Sequence, residues 1–250
     1  MRFHPAALAA ALAAALACAT AARAPAPAAS PEAIVARAIE QAGGATALEA
    51  ARALLWEGDA VVHAGGRTVP ITGRWAVQPP DTAVVSTWAV ARGPATVRHL
   101  VLAAPRGWTV RDGQFTALAP TLLANERDAF YLYDVLRLVP LRAPGVTLGP
   151  APADSLGRRG VRVTAPGRPT VDLYVDGSGR AALLRATVAD AGTGAPVREE
   201  IALDGTIEAA GVRWPRTLRI TLAGAPYFDL TLRTLRVAAR LDDTLVAGPC

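Results

Sequence analysis

The chain has 250 residues, 52% of them hydrophobic, and its 26 basic residues exceed its 21 acidic residues by five. Every basic residue is arginine, and the arginines are scattered rather than clustered, so composition argues against a nucleic-acid-binding surface. Only two cysteines are present, Cys18 and Cys250, which excludes a disulfide framework within the predicted mature chain.

The first residues have the pattern of a secretory leader. A positive start at Arg2 precedes an apolar Ala/Leu run over residues 6–17. This run is shorter than the ~20 residues that a membrane-spanning helix needs. Residues 1–17 are therefore predicted to be a signal peptide, alternatively extending to about residue 24. The protein is expected to be exported.

The run ends at Ala15-Leu16-Ala17-Cys18, which resembles the processing box of bacterial lipoproteins. In that box the cysteine receives the lipid, so lipidation is predicted at Cys18. An ordinary secretory signal, cut after Ala19, Ala21 or Ala24, stays open as the alternative. The two alternatives imply an outer-membrane lipid anchor or a periplasmic protein of a Gram-negative bacterium.

Residues 18–31 are rich in Ala and Pro and are predicted to form an extended tether. One domain is predicted over residues 32–250. It opens with a helix, because Ser30 suits the N-cap, Pro31 suits the first helical position, and apolar residues then recur at helical spacing. Gly43-Gly44 is predicted to end this helix.

Strands are predicted where residues alternate with period two between Gly, Pro and Asp punctuation. The predicted strands cover 54–63, 68–77, 83–90, 96–103, 108–110, 161–164, 171–175, 181–188, 197–203, 212–222 and 227–237. A helix is predicted over 120–141 and a loop over 143–159. The fold class is mainly β (α+β): a single antiparallel, curled, unclosed barrel of about ten to eleven strands packed over one or two helices.

No catalytic or metal-binding pattern is recognisable. Ala153-Asp154-Ser155-Leu156-Gly157 lacks the first glycine of a nucleophile elbow and falls in a predicted loop. His63 and His99 lie far apart without the partners that a zinc site needs. The chain is therefore predicted not to be an enzyme, and no cofactor or metal is expected.

The order of parts resembles the periplasmic lipoprotein-carrier superfamily, the LolA/LolB-like proteins. The shared features are the helix ending at Gly43-Gly44, the strand opening Leu54-Leu55-Trp56-Glu57-Gly58, and the hairpin reaching Arg74-Trp75 before Pro79-Pro80. A mid-chain helix and a late Gly211-Val212-Arg213-Trp214-Pro215 segment complete the pattern. Members of the superfamily fold as an unclosed barrel over helices that act as a lid on an acyl-chain cavity.

The resemblance implies a monomeric protein that binds a lipid or a lipoprotein acyl chain in a hydrophobic cavity. The lid is expected at Phe130–Leu138. The candidate lining residues are aromatic or aliphatic: Trp56, Trp75, Trp88, Phe130, Tyr133, Phe228, Leu230 and Leu232. Two alternatives stay open: these side chains fill an ordinary core, or the domain is a protein-interaction or sensor module without a lipid ligand.

Overall fold

The computed structural model describes residues 29–246, so the predicted signal peptide, Cys18, most of the tether and Cys250 lie outside the described residues. The helices are α1 (Pro31–Gln41), α2 (Ala45–Ala50) and α3 (Pro120–Leu136). The strands of the first half are β1 (Ala53–Ala64), β2 (Arg67–Gln78), β3 (Thr82–Ala89), β4 (Arg98–Ala103), β5 (Arg106–Arg111) and β6 (Gln114–Ala117). The strands of the second half are β7 (Thr147–Pro150), β8 (Arg159–Thr164), β9 (Val171–Val175), β10 (Ala181–Ala189), β11 (Pro196–Asp204), β12 (Ile207–Ala209), β13 (Val212–Trp214), β14 (Thr217–Leu222) and β15 (Ala225–Ala238).

Thirteen of these strands form one antiparallel sheet in the order β6-β5-β4-β3-β2-β1-β15-β14-β11-β10-β9-β8-β7. The edge strands β6 and β7 do not pair with each other, so the sheet does not close. This architecture confirms the predicted unclosed antiparallel sheet over helices, with thirteen strands in place of ten or eleven. The remaining strands, β12 and β13, form a separate two-stranded ribbon.

One face of the sheet, here called the inner face, carries the core. Side chains alternate along each strand, so every second residue points to this face. The inner-facing positions of the central strands join one continuous hydrophobic cluster with the apolar sides of α1 and α3. The helices therefore cover the inner face, and the opposite, outer face carries most of the charged residues.

Helix α1 forms as its sequence predicts. Its first turn is capped by Ser30, whose Oγ accepts a hydrogen bond of 3.2 Å from the backbone N–H of Ala33. The helix stops before Gly43, which has φ of 117° and lies against the backbone of Gly211. A Cβ at residue 43 would stand 1.9 Å from the Gly211 carbonyl oxygen, so this junction requires glycine.

Several segments differ from the prediction. Helix α3 ends at Leu136 rather than near residue 141, because Leu138 has φ of 63° and a 3₁₀ turn, Val139–Arg142, follows. The strand predicted over 212–222 is split at Pro215, which separates β13 from β14. Short strands β6, β7 and β12 stand where none was predicted. No helix among residues 29–246 has both the length and the apolar character to span a bilayer.

Candidate ligand-binding site

The aromatic residues predicted to line the cavity meet at the centre of the inner face. The register of β1 and β2 places Trp56 directly opposite Trp75, and their rings stack with centroids 6.4 Å apart. From α3, the ring of Tyr133 lies 5.6 Å from that of Trp56, and Phe130 lies 5.9 Å from Tyr133. Three separate segments of the chain thus contribute one aromatic cluster.

Strand β15 extends this cluster on the other side of β1. Leu230 pairs with Ala60 and Leu232 pairs with Gly58, and both leucines are fully buried. Phe228 is half-buried nearer the end of the strand, where it packs against the same core. Gly58 leaves room for Leu230, because a Cβ there would stand 3.0 Å from a Leu230 methyl carbon.

Trp88 lies apart from this cluster. It pairs with Thr72, whereas the neighbouring inner-face residue of β3, Thr87, pairs with Gly73. Alternation therefore puts Trp88 on the opposite face from Trp75. Trp88 nevertheless lines an open cleft at the end of β3, together with Val69 and Ile71.

Helix α3 lies over the inner face, with Phe130, Tyr133 and Leu136 buried against the sheet. Of the predicted lining residues on the sheet, Trp56 contacts this helix directly, through Tyr133. The helix is tied to β10 by two hydrogen bonds: Asn125 Nδ2 donates to the Ala189 carbonyl at 2.8 Å, and the Ala189 N–H donates to Asp128 Oδ2 at 3.1 Å. These two bonds hold the start of the helix to the sheet.

Two carboxyl groups lie between α3 and the sheet, of which Glu199 is buried and Glu126 is half-buried. Glu199 of β11 is only 4% exposed although it stands on the inner face, opposite Ala186 and Leu222. Burial, together with the nearby carboxylates of Asp128 and Glu126, raises the pKa of Glu199 to about 7. Burial likewise raises the pKa of Glu126 to about 7, against the opposing effect of Arg98.

Other polar groups at this interface also lack partners. Among residues 29–246, the indole N–H of Trp56 and the Nε–H of Arg127 are buried without a hydrogen bond. Burial also raises the pKa of the Tyr133 hydroxyl, and the carboxylates of Glu199 and Glu126 add to that shift. A buried polar group without a partner costs about 1–3 kcal/mol, so the contact between α3 and the sheet is weaker than its apolar content alone indicates.

Known proteins provide a comparison at the level of structure. No family model matches the chain, and no curated protein matches its sequence. A LolA superfamily protein of Nitrosomonas europaea superposes with a TM-score of 0.54 at 10% identity, covering 88% of this chain and 99% of the other. The chain has the fold of the LolA superfamily.

Two further structures agree with this LolA-like fold. A putative outer membrane lipoprotein-sorting protein domain of Vibrio parahaemolyticus has a TM-score of 0.50 at 10% identity, covering 77% of this chain and 88% of its own. A DUF1329 family protein of Desulfovibrio piger has a TM-score of 0.54 at 10% identity, covering 88% and 98%. The resemblance stated from the sequence is thus confirmed at the level of architecture.

In this LolA-like fold, the inner face is left uncovered at one end. A cleft of about 520 Å³ opens there beside the connection between β3 and β4. Its apolar side is formed by Val69 and Ile71 of β2, and three arginines line it as well, at positions 92, 98 and 111. Val69 is 40% exposed. The cleft is the open continuation of the same face that α3 covers further along.

Sequence reasoning did not identify the charged residues of the site. Glu199 nevertheless had a detectable signal, since it stands between Val197 and Ile201 in the apolar phase of its strand. A carboxylate in that phase indicates a buried acid. The arginines of the cleft had no such signal, because their convergence depends on strand pairing that the sequence does not display.

A serine–histidine pair on the outer face is the nearest approach to catalytic chemistry. Ser86 Oγ lies 2.8 Å from His99 Nδ1, across the pairing of β3 and β4. Within the part of the chain that the structure describes, no carboxylate bonds to the other nitrogen of His99. Strand β3 also pairs on both sides, so its backbone N–H groups are engaged in the sheet and do not form an oxyanion hole. The pair therefore lacks the orienting acid and the anion donors of a serine hydrolase.

Proposed function

We propose that this protein is a non-enzymatic, monomeric cell-envelope protein that binds a lipid or lipoprotein acyl chain on the inner face of its sheet. The observation that carries the proposal is the way in which α3 covers that face. An apolar, aromatic surface in an unclosed sheet lies beneath a helix whose contact encloses unpaired polar groups. A helix held in this way is suited to act as a lid.

The energetics of exchanging the helix for an acyl chain favour such a lid. Each buried acyl methylene contributes about 0.8 kcal/mol, so ten of them contribute about 8 kcal/mol. An acyl chain would replace Tyr133 of α3 as the cover of Trp56, so Trp56 and the stacked Trp75 would stay out of water. Displacing α3 would at the same time return Glu126 and Glu199 to solvent, which removes part of the cost of their burial.

The fold comparison supports the same class of function. One of the superposed proteins is described as a putative lipoprotein-sorting domain, and another as a LolA superfamily protein. The predicted leader and the lipoprotein-like box at Cys18 are consistent with an envelope location. We propose Cys18 as the lipidated residue and residues 18–31 as the tether between the membrane and the domain.

The test is mass spectrometry of the mature full-length protein, expressed in a Gram-negative host. A Cys18→Ser variant, purified without detergent, is extracted with organic solvent, and the extract is analysed for acyl lipids. Near-stoichiometric lipid is the expected result, and a stable, lipid-free protein would contradict lipid binding. The mass of the N-terminal peptide of the wild-type protein tests the lipid anchor, because it shows whether the cysteine carries a diacylglyceryl group.

A second function is favoured by one feature of the sheet edge. All four residues of the edge strand β6 are exposed, and Phe115 within it is 49% exposed. An uncovered edge strand can pair with an extended segment of another protein. A protein-interaction module of this kind predicts a stable protein complex and no co-purified lipid. Phe115→Asp would weaken that complex while leaving lipid content unchanged.

A further inference from the structure

The uncovered cleft at the end of the inner face concentrates positive charge. Arg92, Arg98 and Arg111 line it, together with a single acidic residue, Asp112. Among residues 29–246, none of these three arginines makes an ion pair or a side-chain hydrogen bond. The residues that line the cleft therefore carry an excess of two positive charges, and Arg98 also interacts electrostatically with Glu126 of α3.

Arginines of the outer face behave differently. Arg162 forms two hydrogen bonds with Asp172, at 2.8 and 2.9 Å, and Arg185 and Arg198 both bond to Glu200 at 2.6 Å. The chain therefore supplies carboxylate partners to arginines on its surface strands. Other arginines, such as Arg219 and Arg236, also lack an ion pair among residues 29–246, so what distinguishes the cleft is that it brings three such arginines together.

The geometry of the sheet brings two of these arginines together. His99 pairs with Val110, so the next positions outward, Arg98 and Arg111, are neighbours on adjacent strands. Both are on the inner face, because Arg98 pairs with Thr87. Like charges on neighbouring strands repel each other and destabilise the pair. A bound anion would remove this repulsion.

The cleft is also joined to the aromatic cluster by an apolar row. Ala89 pairs with Ile71, Ile71 pairs with Ala60, and Ala60 pairs with Leu230. This row runs across four strands along the inner face. An occupant held by the arginines could therefore extend an acyl chain towards Leu230 without leaving apolar surface.

We propose that Arg92, Arg98 and Arg111 bind the phosphate group of a phospholipid whose acyl chain lies on the inner face. This inference rests on the proposed function and specifies its ligand class. Guanidinium groups bind phosphate through paired, charge-assisted hydrogen bonds, and their planar geometry suits this better than a point charge would. The half-exposed Val69 and Ile71 would contact the first methylenes beyond the headgroup.

The test compares two single-chain lipids that differ only at the headgroup. Palmitoyl lysophosphatidic acid and monopalmitoylglycerol are each titrated against the protein by displacement of a fluorescent acyl probe. The phosphate-bearing lipid is expected to bind about tenfold tighter, which corresponds to ~1.4 kcal/mol. This preference should decrease at high salt, because exposed charges are screened.

Charge-neutral variants test whether the preference for the phosphate-bearing lipid comes from the arginines of the cleft. The double variant Arg98→Gln/Arg111→Gln should lose the preference and retain its affinity for monopalmitoylglycerol. Arg106→Gln is the matched control: Arg106 is exposed at the other end of the same strand, β5, and does not line the cleft. That control should bind both lipids like the wild type.

Each contrary result has a distinct meaning. Equal affinities in the wild-type protein, or a preference that survives in the double variant, would overturn the phosphate site and leave the proposed function standing. Binding of neither lipid would contradict the proposed function itself. Displacement of lysophosphatidic acid by millimolar inorganic phosphate would assign the cleft to free phosphate and overturn the phospholipid ligand.

Discussion

The inner face has two regions of opposite character, the part beneath α3 and the open end beside the β3–β4 connection. Beneath α3 the face is closed and aromatic, and its enclosed charges are acidic, at Glu126 and Glu199. At the open end it is a cleft whose charges are mainly basic. Strand β2 contributes to both regions with one alternation, through Trp75 in the first and through Val69 and Ile71 in the second. The comparison shows that the helix cover, and not the strand pattern, decides whether an inner-facing residue is core or surface.

The largest expected effect comes from exchanging a tryptophan in each region. Trp75→Ala should lower the free energy of unfolding by about 3–5 kcal/mol, because it leaves a cavity in the aromatic cluster. Trp88→Ala should cost less than about 2 kcal/mol, because Trp88 is only partly buried and lies outside that cluster. Chemical denaturation of the two variants measures the difference. Equal losses would show that the two regions are equally packed.

A smaller effect is expected from the buried acid beneath α3. The pKa of Glu199 is raised from 4.5 to about 7 in the folded protein, so the folded state holds its proton where the unfolded state has lost it. Stability should therefore fall as the pH rises from 4.5 to 7, and stay lower above that. Glu199→Gln should remove this dependence and raise the stability at pH 8 by about 3 kcal/mol, because the shift of about 2.5 pKa units corresponds to ~1.4 kcal/mol per unit.

The adjacent residue is the matched control for this prediction. Glu200 points to the outer face, where hydrogen bonds from Arg198 and Arg185 lower its pKa against the effect of desolvation. Glu200→Gln should therefore give a small loss of stability at pH 8 rather than a gain. Denaturant titrations of both variants between pH 4 and pH 8 test the sign. A gain in both would mean that burial on the inner face is not the cause.

The smallest expected effect concerns the attachment of α3. Asn125→Ala removes the hydrogen bond from this helix to the Ala189 carbonyl and should weaken the local contact by about 1 kcal/mol. Amide hydrogen exchange in α3 should then accelerate about fivefold, while exchange in β8 and β9 stays unchanged. Lipid release should accelerate in parallel. Faster exchange throughout the sheet would instead indicate global destabilisation, which would contradict a lid that opens on its own.

Much of the fold follows from local pattern. The β1–β2 hairpin was predicted because its residues alternate and its turn contains Gly65-Gly66, and this pattern placed Trp56 and Trp75 on one face. The α1 boundaries follow from Ser30 and Gly43. By contrast, β6 and β7 were missed because they are four residues long and mostly exposed, so they lack an alternating apolar signal.

The candidate site was predictable only in part. The aromatic and aliphatic members Trp56, Phe130 and Leu230 were identified because burial favours large apolar side chains wherever they alternate with polar ones. The separation of Trp88 from the aromatic cluster was not predicted, because the sequence shows that a strand alternates but not which phase faces the core. The acids and arginines were missed because a charged residue is normally exposed to solvent. The sequence does not show which of them become buried or are brought together by strand pairing.

The sequence alone determined the long strands, the first helix and the alternation along each strand, because these depend on near neighbours along the chain. Only the tertiary structure decided where α3 lies on the sheet. That placement encloses Glu199 between β11 and the helix, raising its pKa, and leaves Arg98 and Arg111 side by side in an open cleft. Both outcomes depend on contacts between residues far apart in the chain, and such contacts produce no periodic pattern in the sequence.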